Sequence, residues 1–407
     1  MVSVVISFGV DMQYSGFVKP SYDSGGFAGL PARIREHCTS GKYDAVVLFL
    51  VDGFGWRFFE KFQDEPFLKR LTKSGKVEKL TAQFPSTTAA HVTTIHTGLP
   101  VGESGVYEWF YYEPHLDRVI APLLFSFAGD DERDTLKGLV KADKLYPNQT
   151  LYQELGKLGI DSHVFGVRDY TPSSYSNVVM RGAKLNSFKT LAEALVNLGL
   201  LLESITSPAY VHFYFDNIDS TCHKYGPSAA QTEAEIEAFL LIMEQFFTRI
   251  FTGQKKVLLL LTADHGASEV DPKTTIFLNR DKRFEGIERF LKTNKVGNLI
   301  VPAGSARDMF LYVKDSLLDE VQEFLSTLLA GKAEVIKSEW LMENGYFGAQ
   351  ISTKFRARVG NLVILPYRYE SVWWYEKDRF EQRYYGHHGG LTPQEMEIPL
   401  IAYEIQS

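Results

Sequence analysis

The chain has 407 residues, of which 45% are hydrophobic and 23% are charged, and its formal net charge at pH 7 is −7. This composition is typical of a folded globular protein and excludes a disordered chain, a collagen-like chain and a coiled coil. Proteins that bind nucleic acid by neutralising phosphates are usually basic, so the acidic balance argues against a nucleic-acid partner.

Short apolar runs predict buried strands along the chain. The clearest are Ala45–Val51, Tyr210–Phe215 and Val257–Leu261, which contain hardly any polar residue. Uninterrupted runs of this kind are typical of strands that are buried on both faces, as in a parallel sheet. Weaker candidates for strands are His163–Val167, Met309–Val313 and Leu362–Leu365.

Helices are predicted between these strands. One begins at Asn148 or Thr150, and a longer one begins at a capping box on Ser228 and continues to Ile250. Leu317–Ala330 has the periodicity of an amphipathic helix. Strands that alternate with helices predict an α/β fold, doubly wound, with a mostly parallel central sheet and helices on both faces.

Two segments look like additions to that sheet. Leu99–Ala142 is rich in Tyr and Trp, and Asp281–Tyr346 has a β-α-β pattern that predicts a small lid. We therefore expect a catalytic core over residues 1–280, a small inserted α+β lid over 281–360, and a return to the core over 361–407.

The cysteine count and the absence of targeting signals predict a cytoplasmic protein. Cys38 and Cys222 are too few for a disulfide framework or a four-cysteine zinc site. The first ten residues lack a basic region and a cleavage site, and Asp11 interrupts their apolar run, so we expect no signal peptide. No stretch reaches 18 apolar residues, so we expect no membrane partner. The pattern leaves the oligomeric state open.

Three predicted strands are followed by carboxylates. Asp52 follows the first strand, Asp216 and Asp219 follow the second, and Asp264-His265 follows the third. Ligands of an open α/β sheet bind just beyond the carboxyl ends of its strands. We therefore expect these acids to converge on one edge of the sheet.

The spacing of Asp and His residues predicts a metal site. Asp219 and His223 are four residues apart, so one helical turn places both on the same face, and a carboxylate with an imidazole suits zinc. Asp264 and His265 can both reach a metal from a loop. Near the end, residues 386–390 read Gly-His-His-Gly-Gly, which places a histidine in a flexible loop. Three Asp and three His can hold two divalent metals.

A hydroxyl-rich run supplies a candidate nucleophile. Residues 84–91 read Phe-Pro-Ser-Thr-Thr-Ala-Ala-His, and Thr97-Gly98 follows. The run predicts a helix start with Thr88 near the N-terminus, where backbone N–H groups and the helix dipole favour an anion. A hydroxyl there, beside a metal, can lose its proton and act as a nucleophile.

These motifs together resemble the alkaline phosphatase superfamily, and within it the type I phosphodiesterase/nucleotide pyrophosphatase family. The resemblance extends from Asp44 to about Ile401, and it implies an alkaline-phosphatase-like fold. In that family the nucleophile lies nine residues before the Thr of a Thr-Gly pair, which gives Thr88 here.

The resemblance also implies how the ligands divide between two metals. One metal would take Asp219, His223 and a late histidine, and the other would take Asp52, Asp264, His265 and the Thr88 oxygen. The family's His-Gly-Gly motif, with Glu395-Met396 after it, indicates that the late histidine is His388, which leaves His387 as a neighbour of the ligand or a solvent-facing residue.

The implied activity is hydrolysis of phosphodiester or phosphoanhydride bonds in a small molecule or nucleotide, through a phospho-threonine on Thr88. The cofactors would be two divalent metals, most consistent with Zn²⁺, although Mn²⁺ or Fe fits similar ligands. His91 or a helix N–H group would bind an oxyanion. Tyr107 or Trp109 would stack on an aromatic substrate; the alternative is that they cover the core.

Other functions fit parts of the pattern. A phosphomonoesterase, phosphonate hydrolase or sulfatase on the same scaffold would need more positive charge, and no Arg is placed by a motif, although Lys224 follows His223. A phosphopentomutase-like isomerase would share a Thr nucleophile and the Thr-Ala-Asp-His-Gly string, but its first metal motif lies nearer the start of the chain than Asp52. The intact ligand set and Thr88 argue against an inactive binding protein.

Overall fold

A computed structural model describes residues 16–130, 132–250 and 255–405. Numbered along the chain, the strands in these residues are β1 Ala45–Val51, β2 Lys76–Thr81, β3 Tyr111–Glu113, β4 Arg118–Ala121, β5 Ser126–Phe127, β6 Asp161–Val167, β7 Lys184–Phe188, β8 Ala209–Phe215, β9 Val257–Thr262, β10 Ser268–Glu269, β11 Ile276–Phe277, β12 Met309–Leu311, β13 Ala333–Lys337, β14 Leu362–Pro366, β15 Val372–Trp373, β16 Gly386–His387 and β17 Glu397–Ile405. The α-helices are α1 Leu30–Thr39, α2 Trp56–Phe62, α3 Pro66–Ser74, α4 Thr88–Thr97, α5 Val101–Ser104, α6 Ala142–Leu145, α7 Leu151–Lys157, α8 Ser176–Val179, α9 Leu191–Ser204, α10 Asn217–Tyr225, α11 Ala230–Ile250, α12 Leu318–Leu328, α13 Ser338–Glu343, α14 Thr353–Arg358 and α15 Pro393–Met396.

The centre of the fold is a seven-stranded sheet in the order β2-β17-β9-β1-β8-β6-β7. The five strands from β9 to β7 are parallel, and β17 runs antiparallel to both of its neighbours. Every residue of β1 and β9 is buried, which explains why these strands are continuous apolar runs. The α/β fold predicted from the sequence, with a mostly parallel sheet flanked by helices, is confirmed.

The predicted strands and helices are present with shifted ends. Thr150, one of the two residues predicted to begin this helix, caps α7 in a capping box with Gln153. The capping box predicted at Ser228 is wrong. Ser228 lies before the first residue of α11, Ala230, and its hydroxyl donates to Glu269 Oε1 at 2.7 Å.

A smaller antiparallel sheet in the order β12-β14-β13 lies apart from the central sheet. Together with α12, this sheet forms a second hydrophobic cluster, whose residues lie between Leu278 and Trp374. We call this part of the chain the small subdomain. The boundary expected at residue 361 is therefore too early, because β14 pairs with β12 and β13. The rest of the predicted division into domains stays a prediction.

Two expectations concern membrane spans and a signal peptide. Among the described residues, none of the helices combines the length and the apolar character needed to span a bilayer. The expected absence of a signal peptide concerns residues 1–11, which lie outside the described residues. Cys38 and Cys222 are both free and buried.

Candidate active site

The order of the central sheet brings the predicted metal ligands together. β1 lies between β8 and β9, and all three are parallel, so the residues that follow them meet at one edge. Two groups of side chains form there, each with its ligand atoms within 4.8 Å of one another. The first ligand group is Asp52, Asp264 and His265, and the second ligand group is Asp219, His223 and His388.

In the first ligand group, the protein holds one oxygen of each carboxylate and leaves the other free. Asp264 Oδ1 accepts from the backbone N–H groups of Gly53 (3.2 Å) and His265 (3.0 Å), and Asp52 Oδ2 accepts from the Tyr214 hydroxyl. Asp52 Oδ1 and Asp264 Oδ2 are buried without a hydrogen-bond partner among the described residues, 3.3 and 3.5 Å from His265 Nε2. Buried oxygens of this kind require a partner, and a cation can be one.

Two residues of the second ligand group, Asp219 and His223, lie one turn apart on α10. His223 Nε2 lies 3.2 Å from Asp219 Oδ2, as the spacing of four residues predicts. Asp219 Oδ1 is buried without a partner among the described residues and lies 3.9 Å from His388 Nε2. Asp219 also lies close to the backbone of Gly53, which has φ of 72°. A side chain at residue 53 would not fit there, because its Cβ would lie 3.0 Å from the Cβ of Asp219.

Backbone carbonyls orient the three ligand histidines. In each ring Nδ1 lies 2.9 Å from a carbonyl oxygen, so a neutral imidazole donates there and keeps the Nε2 lone pair for a metal. The pairs are His223 with Gly386, His265 with Gly266, and His388 with Ser86.

The charges of the site also fit cations. Burial, followed by repulsion from neighbouring carboxylates, raises the pKa of Asp52 well above its usual value and that of Asp264 to about 7. Burial also opposes ionisation of Asp219, but the facing rings of His223 and His388 lower its pKa to about 2. Divalent cations between the carboxylates would stabilise all three in their charged form.

Thr88 lies where the sequence predicted, at the first position of α4. Thr87 is the N-cap, and its side chain accepts from Ala90 N. Thr88 Oγ1 lies 3.1 Å from His265 Nε2, so the hydroxyl contacts the first ligand group at the positive end of a helix dipole.

Thr88, Asp52 of the first ligand group and all three residues of the second ligand group line one cavity of about 450 Å³. Aromatic side chains form much of its outer wall, namely Trp109, Phe110, Trp373, Phe380 and Tyr384. Sequence analysis missed the cavity residues Tyr214, Arg133 and Arg379, since no motif marks them. Asp216, which the strand pattern placed at this edge, lines the cavity and accepts from the Tyr170 hydroxyl at 2.8 Å.

The prediction that His91 binds an oxyanion is wrong, because both of its ring nitrogens are bonded to the backbone. His91 is fully buried, its Nε2 accepts from Gln83 N at 2.7 Å, and its Nδ1 lies 2.7 Å from Thr87 O. Burial lowers the pKa of His91 to about 4, so the ring is neutral. With both nitrogens bonded to the backbone, His91 holds the start of α4 in place and cannot bind a substrate oxygen.

The two aromatic candidates separate. Tyr107 is fully buried, with its hydroxyl 3.3 Å from Arg358 O and its ring stacked on Tyr111, so it belongs to the core. Trp109 is 39% exposed and lines the cavity. His387 lines the cavity beside the ligands, with Nδ1 3.0 Å from His388 N, and it belongs to neither ligand group.

Trp109→Ala is expected to raise KM for substrates that carry an aromatic base more than it lowers kcat. Base–aromatic stacking is worth about 1–3 kcal/mol, and the loss should appear in binding. Steady-state kinetics with a nucleotide and with a non-aromatic diester measures it. Trp340→Ala, outside the cavity lining, is the control, and Tyr107→Ala should instead destabilise the fold by about 3–5 kcal/mol. Equal KM values for Trp109→Ala and the wild type would contradict the stacking role.

Comparison with known proteins places this site in a family. Residues 46–391 match the model of the type I phosphodiesterase/nucleotide pyrophosphatase family. Venom phosphodiesterases 2 and 1 of Crotalus adamanteus are each 24% identical over 245 residues. The aligned part is 57% of this chain but only 28% and 27% of the two venom enzymes.

Two solved structures share the fold. Murine ectonucleotide pyrophosphatase/phosphodiesterase 5 has a TM-score of 0.64 and 18% identity, over 88% of this chain and 87% of its own. Phosphonoacetate hydrolase from Sinorhizobium meliloti has a TM-score of 0.62 and 16% identity, over 89% and 90%. These two structures show a shared fold, and the match over residues 46–391 shows that the chain belongs to the type I phosphodiesterase/nucleotide pyrophosphatase family.

Proposed function

We propose that the chain hydrolyses phosphodiester or phosphoanhydride bonds at a dinuclear metal site, with Thr88 as the nucleophile. The observation that carries the proposal is the hydroxyl of Thr88 at a helix N-terminus, which lines one cavity together with Asp52 and the whole second ligand group and which contacts His265 of the first ligand group. The Thr88 hydroxyl lies 3.1 Å from His265 Nε2 and so contacts the first ligand group from the start of a helix.

The nitrogen and oxygen ligands favour zinc. The first ligand group and the Thr88 oxygen would hold one ion, and the second ligand group would hold the other. When bound, such ions supply Lewis acidity and neutralise charge on the phosphoryl group.

The charges of the site favour a diester. Asp52, Asp219 and Asp264 carry three negative charges, and a deprotonated Thr88 adds a fourth, which together balance two divalent cations. A phosphodiester brings one more negative charge, whereas a monoester dianion brings two. Counted over the ligand groups and Thr88, the balance is better matched to the diester, and the positive charges of Arg133 and Arg379 in the cavity wall are available to either substrate.

The chemistry on Thr88 divides into two displacements. Thr88 Oγ forms a bond to phosphorus, and the bond from phosphorus to the leaving oxygen breaks. Water then displaces Thr88 from phosphorus and restores the hydroxyl. The N-terminus of α4 stabilises negative charge at Thr88 during both steps.

The relatives support a threonine and a nucleotide-like ligand. The solved structure of murine ectonucleotide pyrophosphatase/phosphodiesterase 5 is of an inactive threonine-to-alanine variant in complex with AMP. A nucleotide diester or pyrophosphate is therefore the first substrate class to test.

We expect diesters to turn over faster than monoesters. The test compares kcat/KM for bis-p-nitrophenyl phosphate and p-nitrophenyl phosphate after loading with Zn²⁺. A tenfold preference for the monoester, about 1.4 kcal/mol in transition-state binding, would establish a phosphomonoesterase instead. Turnover of phosphonoacetate alone would establish a phosphonate hydrolase.

A further inference from the structure

A buried ion pair joins the small subdomain to the loop that carries His388. Arg307 and Glu395 are both fully buried, with Arg307 Nε 3.0 Å from Glu395 Oε1 and Nη2 2.9 Å from Oε2. Arg307 Nη1 also donates to Tyr367 O at 2.8 Å and to Glu370 O, on the chain that follows β14. The guanidinium therefore connects the small subdomain to a residue of α15, next to the final strand of the central sheet.

Glu395 also contacts the loop that carries His388. Its Oε1 accepts from Gly390 N at 3.0 Å, and its Oε2 accepts from Thr392 N at 3.3 Å. Gly390 is two residues after His388, so the carboxylate fixes the backbone on which that ligand lies.

A second contact from the small subdomain reaches the same loop. Ser305 Oγ lies 3.1 Å from His388 O and 2.6 Å from Asp308 Oδ1. Gly389 has φ of 126°, and a Cβ there would lie 2.5 Å from Asp308 Oδ1, so the loop is packed directly against these side chains. The backbone of His388 is therefore held from the small subdomain, while its ring is held by Ser86 O at 2.9 Å.

The first ligand group is held differently. Its carboxylates are fixed by Gly53 N, His265 N and the Tyr214 hydroxyl, all in the core. Gly266 N donates to Glu395 O at 2.9 Å, but this link runs between backbone atoms and needs neither charged side chain.

We propose that the Arg307–Glu395 pair is a positioning device through which the small subdomain controls metal binding at the second ligand group, and not at the first. The proposal rests on the dinuclear site of the proposed function. Neither residue belongs to a ligand group or lines the cavity. Partners that orient a metal ligand typically affect metal affinity by about 10–100-fold.

The chain contains a matched control for a purely structural role. Arg358 and Glu113 form a second buried pair, with Arg358 Nε 2.9 Å from Glu113 Oε2, and Arg358 also donates to Gly105 O and Leu145 O. This pair is as buried as the first and contacts neither ligand group. Arg307→Met and Arg358→Met each remove a buried guanidinium and keep an unbranched, uncharged side chain.

The experiment is equilibrium dialysis of the full chain against Zn²⁺, with metal analysis and a melting curve for each variant. Both variants should melt at lower temperature than the wild type, because each leaves a buried carboxylate unpaired. Arg358→Met should bind about two equivalents, whereas Arg307→Met should keep one and bind the second at least tenfold more weakly. His388→Ala should show the same loss, and Asp52→Ala combined with Arg307→Met should lose both metals.

Folded Arg307→Met with two equivalents at wild-type affinity would overturn the proposal, as would equal metal loss in both Arg→Met variants. If Arg307→Met does not fold, Arg307→Lys tests the same pair, since it keeps a buried positive charge but cannot bond to both oxygens of Glu395 at once. It should weaken the same single metal, and unchanged binding would also overturn the proposal. Metal binding is measured without substrate, so a chain that binds two metals but does not cleave diesters would contradict the proposed function and leave this inference standing.

Discussion

Thr88→Ala is expected to lower kcat for a diester by about a thousandfold or more, with metal content unchanged. The substitution removes the oxygen that would attack phosphorus and leaves both ligand groups intact. Among the described residues, no other hydroxyl at the start of α4 lies beside His265 Nε2 as Thr88 does. Steady-state kinetics with bis-p-nitrophenyl phosphate and metal analysis of the same sample measure the two quantities together.

Two further variants separate the effect of losing the Thr88 oxygen from the effect of losing side-chain volume. Thr88→Ser should keep part of the activity, because it loses only a methyl group. Thr93→Ala is the control on the same helix, since the Thr93 hydroxyl donates to Ala89 O at 2.7 Å within α4. Full activity in Thr88→Ala, or a large loss in Thr93→Ala alone, would show that the nucleophile has been misplaced.

Removal of divalent metal is expected to abolish activity and to lower the melting temperature. Without cations, burial and then repulsion from neighbouring carboxylates raise the pKa of both Asp52 and Asp264, so their charged forms are disfavoured in the folded chain, and bound cations remove this cost. Cations that bind the folded state stabilise it by about 4 kcal/mol when their concentration is a thousand times Kd.

Dialysis against a chelator, followed by addition of Zn²⁺ or Mn²⁺, measures both effects on one preparation. Activity and melting temperature should return together. Asp264→Asn should show a smaller metal-dependent rise in melting temperature, because only the second ligand group stays complete, whereas Asp271→Asn, at a half-buried loop position outside both ligand groups, should show the full rise. Undiminished activity in protein shown to be free of metal would contradict a metal-dependent mechanism.

Sequence was sufficient to predict the centre of the fold and the six side chains that meet in two groups at the sheet edge, for a physical reason. β1, β8 and β9 are almost wholly buried, so they had to be apolar, and parallel strands had to deliver their following acids to one edge. The spacing of Asp219 and His223 was equally informative, because one helical turn fixes their separation.

Sequence failed where the answer depended on which way a side chain points. His91 follows Thr88 by three residues, but α4 is buried nearly all round, so its position on the helix did not reveal what its nitrogens bind. Tyr107 and Trp109 both looked like stacking residues, yet only packing against Tyr111 and Arg358 shows that Tyr107 faces the core.

Long-range polar contacts gave no signal at all in the sequence. Arg307 and Glu395 are 88 residues apart; Arg307 belongs to no motif, and the Glu395-Met396 pair marked only the position of the late histidine. Their pairing follows from how β12 and β14 pack beside the last loop, which is a property of the folded chain.

The most direct test of the account is to trap the covalent intermediate. The metal-loaded enzyme would be mixed with a diester labelled at phosphorus, quenched with acid within one turnover, digested and mapped. We expect the label on the peptide that contains Thr88, with none in Thr88→Ala, because the bond from Thr88 Oγ to phosphorus survives until water displaces it. Label on another residue, or product released in a burst with no labelled peptide, would contradict the central claim that Thr88 is the nucleophile.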